Sequence, residues 1–70
     1  MAYKVHAHVL QDGHVDPITG PRCFIKPTEG EHTGLYLIAH TSEVLKEGQP
    51  VIYDYIMRRA VLDTEAEGRS

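Results

Sequence analysis

Three sets of side chains in this 70-residue chain have the types and spacing to do chemistry. The first is aromatic and basic. Arg22, Phe24 and Lys26 are spaced by two, as are Tyr36, Ile38 and His40, and as are Lys4, His6 and His8. In an extended strand, period two puts each set on one face. Faces of that kind, brought together, offer rings for base stacking and cations for phosphates. The competing reading has Phe24 and Tyr36 filling the core and the histidines standing as solvated strand residues. The adjacent Arg58 and Arg59 can clamp phosphates or an acidic partner. Their alternative role is that of solvated charges in a turn.

The second set is metal-binding in type. His6 and His8 share a strand face, and Cys23, His14, His32 and His40 can add ligands only if the fold gathers them. The tight paired spacings of zinc sites are absent, so neither a metal nor another cofactor is expected. The third set is nucleophilic: Cys23 with His40, or Ser42 with His40. Such a pair needs an orienting third group and a cleft. A barrel of this size rarely offers a cleft, so no enzymatic activity is expected.

The elements that must position these groups follow from the pattern. Tyr3 to Leu10 reads as a strand with Val5, Ala7 and Val9 on the apolar face. Gln11-Asp12-Gly13 is a turn, and His14 to Pro21 reads as a loop held by Asp16-Pro17 and Gly20-Pro21. Arg22 to Lys26 is a second strand. Leu35 to Ala39 is the most apolar run and suits a central strand buried on both faces. Thr41 to Leu45 fits one helical turn capped by Thr41 or Ser42, with Gly48 supplying a positive φ beyond it. Gln49 to Met57 is a fourth strand, Arg58-Arg59 a tight reversal and Ala60 to Asp63 a fifth strand. The architecture expected is all-β: one domain over residues 1–64, a five-stranded barrel that removes its own sheet edges. An SH3-like barrel is the alternative. Residues 65–70 read as a frayed polar tail.

Composition bounds the partners. Ten acidic and seven basic residues give a net charge of −3, which argues against a tight nonspecific grip on duplex DNA. It leaves room for single-strand binding, where stacking carries part of the energy, and for a protein partner. Cys23 is the only cysteine, which fits a reducing compartment. No stretch approaches the roughly 20 apolar residues of a membrane span, and Met1 to Leu10 lacks the continuous apolar run of a secretory leader. A cytoplasmic location without membrane association is expected, with the chain as monomer or homodimer.

From Cys23 to Leu62 the chain resembles a cold-shock domain. Phe24-Ile25-Lys26-Pro27 is similar to the end of that family's second strand. Leu37-Ile38-Ala39-His40-Thr41-Ser42 is similar to its third-strand motif, Val-Phe-Val-His-x-Ser. Leu45-Lys46-Glu47-Gly48-Gln49-Pro50-Val51 is similar to its leucine, turn and entry into strand four, and Ala60-Val61 to a pair in strand five. The chain departs from the pattern at Arg22 and Ile38, where the family has exposed aromatics, and has no tryptophan. The resemblance implies an OB-type barrel that binds single-stranded RNA or DNA through strands two and three. The residues it and the face analysis assign to that surface are Lys4, His6, His8, Arg22, Phe24, Lys26, Tyr36, Ile38, His40, Arg58 and Arg59. The thinned aromatic set supports the alternative of a small adaptor or inhibitor that binds another protein through the barrel surface.

Overall fold

The structure, a computed structural model, describes residues 3–64. The predicted tail, 65–70, lies outside the described residues. Six strands form: β1 (Lys4–Val9), β2 (His14–Asp16), β3 (Gly20–Pro27), β4 (Leu37–His40), β5 (Pro50–Asp54) and β6 (Arg59–Leu62). They hydrogen-bond in the order β1-β5-β6-β4-β3-β2, and β1 also pairs with β3. That last pairing closes a ring of five strands, with β2 as a short flap on β3. The ring is the expected small OB-type barrel.

Closure depends on β1 serving two neighbours. Lys4 to His8 pair antiparallel with β5, and Ala7 to Val9 pair antiparallel with β3. The opposite seam is much thinner. β4 and β6 run parallel and meet at one residue pair, His40 and Arg59. There the His40 N–H donates to the Arg58 carbonyl at 2.9 Å.

The alternation read from the sequence decides which side chains enter the barrel. Val5, Ala7 and Val9 point inward from β1, Cys23, Ile25 and Pro27 from β3, and Val51 and Tyr53 from β5. Ala39 and Ala60 complete the interior. Three of the ten core residues are alanines, which keeps the bore narrow. Leu45, from the β4–β5 connection, is buried with them. Gly13 lets that connection approach: its N–H donates to the Leu45 carbonyl at 2.7 Å. A Cβ on Gly13 would stand only 3.1 Å from the Arg22 carbonyl oxygen.

Several expectations are corrected. Residues 41–45 are irregular, with a bend at Ser42 and Glu43, and form no helical turn. Thr41 does not cap a helix, because its hydroxyl donates to the Glu43 carbonyl while its N–H donates to the Pro21 carbonyl. The predicted loop His14–Pro21 contains β2, paired with β3 through His14–Arg22, Val15–Pro21 and Asp16–Gly20. The third ring strand is Leu37–His40, and it is buried on one face only: Ile38 is 47% exposed. The strand predicted to run to Met57 ends at Asp54, whose carboxylate accepts the N–H groups of Ile56 and Met57. A carboxylate bonding the backbone two and three residues on is a turn, not a ladder. The reversal therefore spans residues 55–58, with Arg58 at φ 58° and Arg59 already in β6.

The core predicts its own weak point. Ile25 has no exposed surface, so Ile25→Ala leaves a cavity costing about 2–5 kcal/mol. In a domain this small that is a large part of total stability. Urea unfolding followed by far-ultraviolet circular dichroism is expected to show a large fall in midpoint, and Phe24→Ala, on the outer face, a clearly smaller one.

Candidate nucleic-acid interface

The outer faces of β3 and β4 carry most of the residues singled out above. The β3–β4 register sets Arg22 opposite His40 and Phe24 opposite Ile38. One rung further, the Lys26 ammonium lies 5.8 Å from the centre of the Tyr36 ring, a cation–π contact. Tyr36 is 71% exposed, while Phe24 and His40 are half-buried at their edges. Phe24 and Tyr36 line one shallow groove together with Leu10 and Gln11. His8 adjoins this face, because it pairs across β1–β3 with Lys26.

The other predicted residues divide. Arg58 stands beside the platform, in a second groove with Tyr36 and Ile38. Lys4 and Arg59 line a different groove with Ile52, Asp54, Met57 and Val61. His6 is engaged elsewhere. Its ring Nδ1 lies 2.9 Å from Glu29 and its Nε2 3.9 Å from Asp63. The Glu29 carboxyl is held below its ordinary range, first by the His6 backbone N–H and then by the His6 ring. Lys4, His6 and Arg59 are therefore not gathered with Phe24 and Tyr36.

The second groove also holds His32, expected above only as an added metal ligand, and Tyr55, not named there among the binding residues. Their rings lie 5.4 Å apart at 43°. Tyr55 falls within the expected fourth strand, Gln49 to Met57, and the Asp54 turn takes it out of that strand. The signal available was Asp54 itself, a turn-forming residue immediately before Tyr55. Tyr53 reaches the same groove from the core. Burial pushes its phenol above the ordinary range, against a smaller opposite pull from Arg58. The hydroxyl thus stays protonated at neutral pH and able to donate.

Local anchors fix Arg22. Its guanidinium lies 3.4 Å from Asp16 and its Nε donates to His14 Nε2 at 3.3 Å. Asp16 also accepts the N–H groups of Ile18 and Thr19 at 2.8 and 3.0 Å. The nucleophilic pairing of Cys23 with His40 is not assembled: Cys23 faces the core while His40 lies on the outer face. Burial also raises the Cys23 thiol above its ordinary range, which leaves it protonated and unreactive. Among the described residues, no three of His, Cys, Asp and Glu gather in a way that can hold a metal ion. No protein-family model, no curated protein and no solved structure matches the chain.

Asp16 gives the face an acid limit. The Thr19 and Ile18 N–H groups, with a lesser pull from Arg22, hold its carboxyl below the ordinary range. Its contribution is thus complete at neutral pH and is lost as pH falls below about 4 towards the lowered folded-state value. In an acid titration by NMR, the amides of Ile18 and Thr19 are expected to lose protection in that window. Asp16→Asn, which keeps an acceptor oxygen, removes this step.

Proposed function

We propose that the chain is a small cold-shock-like module that binds single-stranded RNA or DNA weakly on the β3–β4 face. The observation that carries this reading is the Phe24–Ile38 rung, flanked by Arg22 with His40 on one side and Lys26 with Tyr36 on the other. Rings and cations thus share one face of the β3–β4 pair. Stacking contributes about 1–3 kcal/mol per base, and only Phe24 and Tyr36 supply full rings, so micromolar affinity follows. Few phosphates are engaged, which makes the salt dependence shallow, with a slope near −0.7 per phosphate.

Fluorescence anisotropy with labelled oligo-dT and a mixed-sequence RNA at low salt tests it. Phe24→Ala and Tyr36→Ala are each expected to weaken binding by about 5- to 150-fold. Lys26→Ala is expected to weaken it less and to flatten the salt slope. An absence of binding at high micromolar protein would falsify the reading.

A second reading, a protein partner on another face, is favoured by one observation. Met57 and Val61, 65% and 56% exposed, line the groove with Lys4, Asp54 and Arg59. Mixed charges around an apolar centre suit a protein surface better than a polyanion. If that partner is a second copy of the chain, light scattering shows a dimer that Val61→Lys dissociates without loss of oligonucleotide binding. A monomer at every concentration removes the self-association.

A further inference from the structure

The thin seam between β4 and β6 leaves a chemical feature open. Along a strand, backbone N–H and C=O groups point alternately to the two neighbours. Those of His40 face β6, since its N–H donates to the Arg58 carbonyl. Two residues earlier, Ile38 must face the same way. Yet β6 begins at Arg59, which is level with His40, so no strand lies opposite Ile38. A cleft stands there instead, lined by Tyr36 and Ile38 from the β4 side and by His32, Tyr53, Tyr55 and Arg58 around it.

Three features say what fits this cleft. The free edge is one donor and one acceptor on a single residue, too short a row for an added peptide strand, which uses several. A nucleobase carries a neighbouring donor and acceptor on its Watson–Crick edge, which proteins read when the base is splayed from the strand. The surroundings are aromatic, with a cation at the rim: Arg58 is exposed, and no carboxylate among the described residues lies within ion-pair distance of it. Finally, the cleft is continuous with the stacking face, because Tyr36 lines both grooves. Arg58 also holds a left-handed backbone, φ 58°, which costs a non-glycine residue energy and is found where the fold overrides it. That conformation both presents its carbonyl to His40 and leaves its side chain at the cleft.

We propose that the seam below His40 is a subsite for one base of the single strand that crosses the β3–β4 face, with the Ile38 N–H and C=O bonding the base edge and Arg58 meeting an adjoining phosphate. The subsite rests on the platform reading of the previous section and adds one base to its footprint. The backbone pair makes it tolerant of base identity, since all four bases present a neighbouring donor and acceptor.

Amide hydrogen exchange by NMR tests it, on 15N-labelled protein, free and saturated with oligo-dT. The Ile38 N–H is expected to exchange more slowly by about fivefold or more in the complex, the effect of one net hydrogen bond. An abasic site walked along the oligonucleotide should abolish that protection at one position of the walk. Arg58→Asn, whose side chain tolerates the left-handed backbone, is expected to stay folded and lose about two- to tenfold in affinity. If oligo-dT shifts the Phe24 and Tyr36 signals while Ile38 exchange is unchanged, the subsite is overturned and the platform stands. If oligo-dT does not bind at all, both readings fall together.

Discussion

The barrel is closed by a single parallel contact, and the outer face takes its shape from that contact. Four of the five joints in the ring are antiparallel ladders of three to five residue pairs. The fifth is His40 against Arg59 alone. Because the other joints fix strand tilt and stagger, β4 has no freedom to slide until it pairs further with β6. His40 therefore sits at a junction, with Arg22 opposite it on β3 and Arg59 on β6. Below it the two strands diverge, and the edge of β4 is left to face side chains. A longer β6 would complete the sheet and remove the cleft. The short one gives the molecule a donor and acceptor at its surface without breaking the core.

A core this small sets the terms for everything outside it. Ala7, Ala39 and Ala60 bring the walls together, so little interior remains for large rings. Tyr53 is the one aromatic residue in the buried cluster, and its phenol end reaches the second groove. Strand alternation puts Phe24 on the outer face, and the Asp54 turn leaves Tyr55 packed against the edge of the core. The β4–β5 connection shows the same economy. Leu45 enters the core from an irregular segment held by Gly13, Pro21 and Val9 backbone groups, and no helix is needed to seat it.

What the sequence made legible was alternation. Period two placed Val5, Ala7 and Val9 inward and Lys4, His6 and His8 outward, and it placed Arg22, Phe24 and Lys26 together on one face. Two-residue periodicity survives any strand arrangement, which is why these assignments hold. It says nothing of which outer faces adjoin. His6 and Lys4 share a face of β1 with His8, yet only His8 lies beside β3, because β1 leaves that neighbour before reaching them. Turn chemistry was the other gap. Asp54 ends its strand through its own side chain, and Thr41 donates where a cap would accept. In both cases the residue type was suggestive, but the outcome rested on which backbone groups the tertiary fold had left unpaired.

The acidic balance of the chain is compatible with cations on the β3–β4 face because four of its carboxylates are engaged in backbone work. Asp12 accepts the Glu47 N–H, Asp16 those of Ile18 and Thr19, Glu29 that of His6, and Asp54 those of Ile56 and Met57. An ionised carboxylate bonded to N–H groups satisfies donors that no ladder reaches. It is also held in place, so it pairs only with a cation close by. Asp16 pairs with Arg22, Asp12 with Lys46, and Glu29 and Asp63 with His6. Among the described residues none of them reaches Lys26 or Arg58. The net charge of −3 is therefore a poor guide to the field at the β3–β4 face, where Arg22 is paired with Asp16 while Lys26 and Arg58 stand beside rings with no ion-pair partner among the described residues. With salt, the field of the scattered acids is screened over about 10 Å, while the apolar surface of Phe24 and Tyr36 is unchanged. What remains at that face independent of charge is the ring surface of Phe24 and Tyr36, which line one groove together.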